Sequence, residues 1–331
     1  MKAVICREFA PVDALEIGAF AAPAVAPGAL LIDVRAAGVN FPDGLMVQGK
    51  YQTKPPVPFV PGSELGGIVR AVGEGVSGFA VGDRIVAFSG TGGFAQQAVV
   101  PAPQAFPVPA EADLVVASGM LITYGTSYHA LKDRAALKPG ETLLVLGAAG
   151  GVGLAAVELG ALMGARVIAA ASTDEKLALA REYGAAETIN YTTEDFRERI
   201  KELTGGKGVD VVYDPVGGDL TVPAIKSLAW YGRLLVVGFA AGQIPQIPAN
   251  LLLLKSASAV GVLWGNSLRA DPVHHAGNIA QLLDWLAAGK IKPEVDTIFP
   301  LDRAVEAINH VMERRAQGKV ILTMTAEGDT Q

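Results

Sequence analysis

A single cysteine, Cys6, stands in a chain of 331 residues. One thiol excludes an intramolecular disulfide and any cysteine-rich metal site, and it fits a reducing compartment, so the cytoplasm is the expected location. Charge is also sparse. Asp, Glu, Lys and Arg make up 18% of the residues and leave a net charge of −6, which offers a polyanion neither long-range attraction nor counterion release. Nucleic acid and anionic membrane surfaces are therefore not expected partners. No apolar run approaches the roughly 20 residues that a spanning helix needs. The N-terminal MKAVICREFAP is interrupted by Arg7 and Glu8 too early to act as a signal peptide. These absences leave a globular protein that handles small molecules.

Glycine and apolar residues are abundant. Half the chain is hydrophobic, and 39 glycines with 20 prolines divide it into many short elements, a balance that suits two domains with sizeable cores. From Met1 to about Leu121, segments such as ALLIDVRAAGV, LGGIVRAVG, DRIVAF and FAQQAVVP read as strands of a compact β domain. After Tyr124, apolar strands alternate with helical stretches, the pattern of parallel βαβ units. Six strands are expected, starting near Thr142, Arg166, Glu187, Asp210, Arg233 and Ala257, with VPAIKSLAWYG read as one of the intervening helices. The last part holds two helical patterns, DPVHHAGNIAQLLDWLAAG and LDRAVEAINHVMERRAQG, and the strand KVILTM. No further βαβ crossover is evident there, and the tail AEGDTQ is expected to fray.

The strongest local signal is TLLVLGAAGGVGLAAVELGALMG, a buried strand that runs through a glycine cluster into a helix. Gly150 and Gly153 take the second and third positions of a GxGxxG fingerprint whose first position is Ala148, with Gly151 and Val152 between them. Lacking a Cβ, Gly150 would let backbone approach a pyrophosphate, whose charge the free N–H groups at the helix start favour. Gly153 would allow close packing of helix on strand. The second strand ends RVIAAAST, so Ala171 stands where an NAD-selective site would carry an acid for the ribose 2′-hydroxyl. Ser172 and Lys176 just beyond it offer a hydroxyl and a cation for a 2′-phosphate, which favours NADPH. Asp174 is contrary, although its place near a helix start suits capping.

These residues resemble the zinc-independent quinone oxidoreductases of the medium-chain dehydrogenase/reductase superfamily and the related enoyl thioester reductases. The resemblance rests on AAGVNFPDGLMVQGKY, PFVPGSELGGIVRAVGEGV, GDRIVAF, ITYGTSYHAL, GAAGGVG, DPVGG and VGFAAG, in that order along nearly the whole chain. It implies an α/β protein, with a chaperonin-10-like β-barrel catalytic domain plus a doubly wound parallel-sheet Rossmann domain. The barrel would take residues 1–122, the Rossmann domain 123–264, and the chain would return to the barrel over 265–331. It also implies a homodimer, paired through the edge of the strand in SASAVGVLW.

Zinc-dependent members of the superfamily place cysteine and histidine where this chain has Asn40 and Ser63, before Glu64, so no metal is expected. The four histidines offer no metal spacing; His129 and His310 read as packing or surface residues, and His274 and His275 are adjacent. In the family the residue corresponding to Asn40 lies beside the nicotinamide, and a tyrosine after a similar NxxD and QG pattern protonates the substrate of the enoyl reductases. Asn40 and Tyr51 are accordingly the candidate catalytic residues, with Tyr51 either a general acid or an aromatic wall. Asp43 reads as orienting or capping the local turn. The resemblance further places Tyr191 beside the adenine ribose phosphate, Thr126 near the nicotinamide, and Val216, Gly217 and Phe239 along the cofactor channel.

The implied reaction is hydride transfer from NADPH to a quinone or similar conjugated carbonyl. Two alternatives stay open: an enone or enoyl thioester reductase with Tyr51 as proton donor, and a NADPH-binding sensor or structural protein without useful turnover.

Overall fold

The computed structural model describes residues 1–324, so the tail AEGDTQ lies outside the described residues. In chain order the strands are β1 (Lys2–Ile5), β2 (Glu16–Ala19), β3 (Ala29–Val39), β4 (Glu64–Val72), β5 (Arg84–Phe88), β6 (Gln97–Pro101), β7 (Ala105–Pro107), β8 (Thr142–Leu146), β9 (Arg166–Ala171), β10 (Glu187–Asn190), β11 (Val209–Asp214), β12 (Leu228–Val236), β13 (Ser258–Gly261), β14 (Val295–Pro300) and β15 (Lys319–Thr323). The chain divides into two compact units, one of Met1–Ile122 with Gly265 onward, the other Thr123–Trp264.

In the first unit β3 is the spine. It pairs antiparallel with β4 along one edge and with β6 and β15 along the other, in a sheet ordered β14-β15-β3-β4-β5-β7. Leu30, Ile32 and Val34 are buried while Leu31, Asp33 and Arg35 are not, the period of two expected of a strand with one dry face. Beyond Arg35 the alternation stops and Ala36–Val39 is buried throughout, where the helix Leu114–Ser118 also packs. Glycine makes this crowding feasible: a Cβ on Gly38 would meet the Glu64 carboxylate, and one on Gly67 the carbonyl of Asp33. Leu30, Ile32, Leu65, Ile85 and Phe94 form part of the core below, each contributing about 1.5–3 kcal/mol by burial.

The close of this unit differs from expectation. β14, the helix Ala304–Met312 and β15 form a parallel βαβ crossover inside the sheet, where no further crossover was foreseen. VDTIFP is a strand of only six residues that mixes polar and apolar side chains, so its pattern in the sequence is weak. The helical pattern also stops early: Arg314 adopts φ +60, which ends the helix before RRAQG.

The second unit is a parallel sheet ordered β10-β9-β8-β11-β12-β13, the doubly wound arrangement, with its switch point between β8 and β11. Its inner strands are buried almost from end to end, as in TLLVL and RVIAAA, because helices cover both faces of such sheets. The helix in VPAIKSLAWYG covers only Thr221–Lys226, and β12 already begins at Leu228. LAWYG follows the helical spacing of the preceding residues, but Tyr231 at φ +61 and Gly232, packed against Leu228 and Ala229, fold it into an irregular strand start.

Candidate active site and cofactor cradle

In the first unit the polar residues at the end of β3 form one buried cluster. Asn40 closes β3 and is the N-cap of the helix Phe41–Val47, whose Asp43 carboxylate accepts the Asn40 N–H at 2.9 Å. The other Asp43 oxygen accepts the Ser63 hydroxyl at 2.5 Å. Asp43 thus caps the turn, as its position in the motif suggested. Its carboxyl is fully buried, and burial pushes its pKa up to about 6 against the downward pull of Ser63, the Asn40 N–H and Lys319. Glu64, also fully buried, accepts the Asn40 amide at 2.9 Å on one oxygen and the Ile122 N–H at 2.8 Å on the other.

Lys319, the first residue of β15, completes the cluster. Its ammonium donates to Glu64 at 2.7 Å, to the Asn40 side-chain oxygen at 2.8 Å and to the Val39 carbonyl at 3.2 Å, using all three of its protons. Asn40 is similarly saturated: its amide protons go to Glu64 and the Gly38 carbonyl, and its oxygen to Lys319. Its amide is therefore fixed by three protein partners. Lys319 went unnoticed in the sequence, where its only signal is a lysine leading an apolar strand.

Tyr51 lies past the helix Phe41–Val47, half-buried against the same core. Burial raises its phenol pKa, the nearby Asp43 charge raises it further, and a hydrogen bond with Gln52 and the charge of Arg269 oppose both. The phenol thus keeps its proton at neutral pH.

The donor groups of this cluster are engaged with one another. Zinc takes thiolate, imidazole or carboxylate ligands, but the Glu64 carboxylate already holds an ammonium, and that of Asp43 holds a hydroxyl and an N–H. Asn40 and Ser63 supply only an amide and a hydroxyl.

In the second unit the glycine turn joins β8 to the helix Gly151–Leu162, with Gly150 as N-cap. Gly147 takes φ +59, and a Cβ on Gly153 would sit 2.1 Å from the Gly147 carbonyl, so close packing of helix on strand demands glycine there. Gly150 differs. A Cβ on it would meet only the Gly147 carbonyl, at an ordinary 3.5 Å, so nothing within the described protein requires a glycine. The space is suited to a ligand, and the N–H groups of Gly151, Val152 and Gly153 open the helix without intrahelical acceptors.

The other predicted cofactor residues gather along the carboxyl ends of the same sheet. Ser172 follows β9 and Tyr191 follows β10; the Tyr191 N–H bonds the Ala171 carbonyl, and the Thr192 hydroxyl bonds that of Ser172. The cap of the helix Asp174–Glu182 is Thr173, whose hydroxyl accepts the Lys176 N–H, rather than Ser172 or Asp174. Asp174 is instead engaged by the Asn190 amide at 2.7 Å. Val216 and Gly217 turn out of β11 on the buried Asp214 carboxylate, which accepts both their N–H groups and the Thr221 hydroxyl. Asp214 and Thr221 are structural members of the site that sequence reasoning passed over, though DPVGG displays the first. Phe239, beyond β12, lies against Gly217, and Val216 lies against Gly147 at the switch point. Thr126 sits on the helix Leu121–Tyr128, next to Ser127, whose hydroxyl bonds the Val152 carbonyl at 2.8 Å.

Comparison with known proteins finds two family matches. Residues 26–110 match the alcohol dehydrogenase GroES-like domain and residues 151–287 the zinc-binding dehydrogenase family. A quinone oxidoreductase-like protein 2 homolog of Nematostella vectensis is 41% identical over 324 residues, covering 97% of this chain and 88% of its own. Among solved structures, the Escherichia coli quinone oxidoreductase complexed with NADPH is 30% identical with a TM-score of 0.90, covering 98% of this chain and 100% of its own. A mycobacterial protein complexed with NADPH is 32% identical with a TM-score of 0.91 over the same shares.

Proposed function

The chain belongs to the quinone oxidoreductase family of the medium-chain dehydrogenase/reductase superfamily, and from that premise we propose that it is a NADPH-dependent reductase of a quinone or similar conjugated carbonyl that works without zinc. The observation that carries this reading is Lys319. A fixed ammonium neutralises Glu64 and holds Asn40 where a metal would need free ligands.

NADPH supplies a hydride when bound. The cradle that fits it is the glycine turn: the open space at Gly150 and the N–H groups of Gly151 and Val152 suit a pyrophosphate, with Val216, Phe239 and Thr126 beside the switch point. Ala171 leaves room for a 2′-phosphate, Ser172 and Tyr191 follow the ends of β9 and β10, Lys176 lies in the first turn of the helix after β9, and the Asn190 amide engages the Asp174 carboxylate. Two of the solved relatives hold NADPH. Asn40, locked by three partners, offers a rigid wall rather than an adjustable donor, and Tyr51 offers a protonated phenol.

Tyr51 favours one second reading, enone or enoyl thioester reduction, because that chemistry needs a proton at the carbon that does not take the hydride. A quinone needs no such acid, since water can protonate the hydroquinone oxygens. Tyr51→Phe separates the two. We expect quinone turnover to survive within about threefold, while any enoyl turnover falls by at least about 100-fold, the usual range for a lost general acid; a collapse of quinone turnover would overturn the primary reading.

The homodimer belongs to the same proposal. Shortly before the edge strand β13 in the chain, Leu253 and Leu254 are exposed at 77% and 68%, and an unpaired edge together with exposed apolar side chains suits pairing across a twofold axis.

A further inference from the structure

We infer that Arg269 recognises an anionic group on the acceptor, so that the substrates of this enzyme are conjugated carbonyls bearing a carboxylate, sulfonate or phosphate. The inference rests on the function proposed above and names the substrate class of that site.

Arg269 is exposed, near the end of the helix Trp264–Ala270. No carboxylate lies within ion-pair distance of it among the described residues; its guanidinium instead lies 5.2 Å from the centre of the Phe88 ring and donates to the Asn266 side chain at 3.3 Å. Other arginines in this chain are held by acidic partners, such as Arg303 by Glu306 and Arg199 by Glu202. The ring beneath Arg269 is itself fixed. A Cβ on Gly265 would fall 2.9 Å from Phe88, so the glycine one turn before Arg269 lets the helix backbone rest on the ring. On the other side Gly90, at φ +77, leaves room for the guanidinium, which would be 3.0 Å from a Cβ there. A cation already placed over an aromatic ring loses little freedom when an anion arrives.

The place matters as much as the pose. Phe88 is the register partner of Glu64, the residue that binds Asn40 and Lys319. The next residues, Ser89 and Gly90, donate their N–H groups to the Ser63 carbonyl, and Ser63 bonds Asp43. Arg269 therefore stands one strand position from the buried cluster, and its charge is felt at the Tyr51 phenol. With Lys319 already neutralised, Arg269 is a cation near this cluster that no carboxylate holds among the described residues.

The test compares 1,4-naphthoquinone with 1,4-naphthoquinone-2-sulfonate as acceptors for NADPH oxidation by the wild-type protein, Arg269→Met and Arg269→Lys. Taking the ratio of kcat/KM for the two acceptors within each protein cancels their intrinsic reactivities. We expect that ratio to fall roughly tenfold in Arg269→Met, the size of a charge-assisted contact. It should be largely kept in Arg269→Lys and should fall for the wild type as salt is raised. A ratio that changes by less than twofold in Arg269→Met would overturn the inference. If neither quinone is reduced, it is the proposed function that fails, and calorimetry with naphthalene-2-sulfonate then decides on Arg269. Binding at least tenfold tighter to wild type than to Arg269→Met supports the site, and equal or absent binding removes it.

Discussion

Replacing Lys319 by Met should be among the most damaging single changes this chain can undergo. The side chain is 5% exposed and its partner Glu64 fully buried, so solvent can compensate neither. Met fills much of the same volume but donates nothing. It leaves the Glu64 carboxylate with only the Asn40 amide and the Ile122 N–H, and leaves the Asn40 oxygen and Val39 carbonyl without the ammonium. Breaking one side of a buried pair costs about 3–5 kcal/mol, a large share of the roughly 5–15 kcal/mol that holds a typical domain together. Much of that cost is the stranded charge rather than the lost attraction. Lys319→Met combined with Glu64→Gln should therefore recover at least about 2 kcal/mol, a coupling typical of residues in direct contact. Urea unfolding of the wild type, both single variants and the double variant measures all four corners. A loss below about 1 kcal/mol in Lys319→Met, or strict additivity in the double variant, would refute the reasoning.

Gly150→Ala should separate cofactor binding from folding: its Cβ meets only an ordinary contact within the protein, so Tm should hold within a few degrees while NADPH affinity, read by fluorescence titration, falls at least about tenfold, and unchanged affinity would show that no ligand approaches there. Asp43 predicts a pH effect. Because its folded pKa, about 6, is raised above the usual 3.8, the stability linked to it is fully present below 3.8 and is lost as pH rises through 6. That amounts to about 3 kcal/mol, and the difference in unfolding free energy between wild type and Asp43→Asn should drift by that order across this window, a flat difference being the contrary result. Leu253→Asp with Leu254→Asp should shift a dimer to a monomer by light scattering; an unchanged mass would move the interface elsewhere.

Much of this architecture is legible in the sequence because it depends on local pattern. ALLIDVRAAGV alternates and TLLVL does not, and the two spacings separate a strand with one dry face from strands buried on both. GAAGGVG shows its turn through residues whose missing side chains are the point. Gly153 is demanded by the carbonyl of Gly147, six residues away. Residues that depend on distant partners were harder to see. Lys319 meets Glu64 across 255 positions, and nothing in KVILTM distinguishes a buried ammonium from a charge at a strand boundary. The saturation of Asn40 was hidden for the same reason, since two of its three side-chain partners come from β4 and β15. The helical misreading of LAWYG and the missed strand VDTIFP were local failures, where tertiary packing overrode an ambiguous short run.

Anaerobic NADPH oxidation by protein stripped of metal, with 1,4-benzoquinone as acceptor and with zinc or a chelator added in parallel, bears on the whole account at once. Quinone reduction that proceeds in the stripped protein and is indifferent to both additions is the predicted result. Turnover that appears only when zinc is restored would contradict the reading of Lys319, Glu64 and Asn40 as a closed, metal-free cluster.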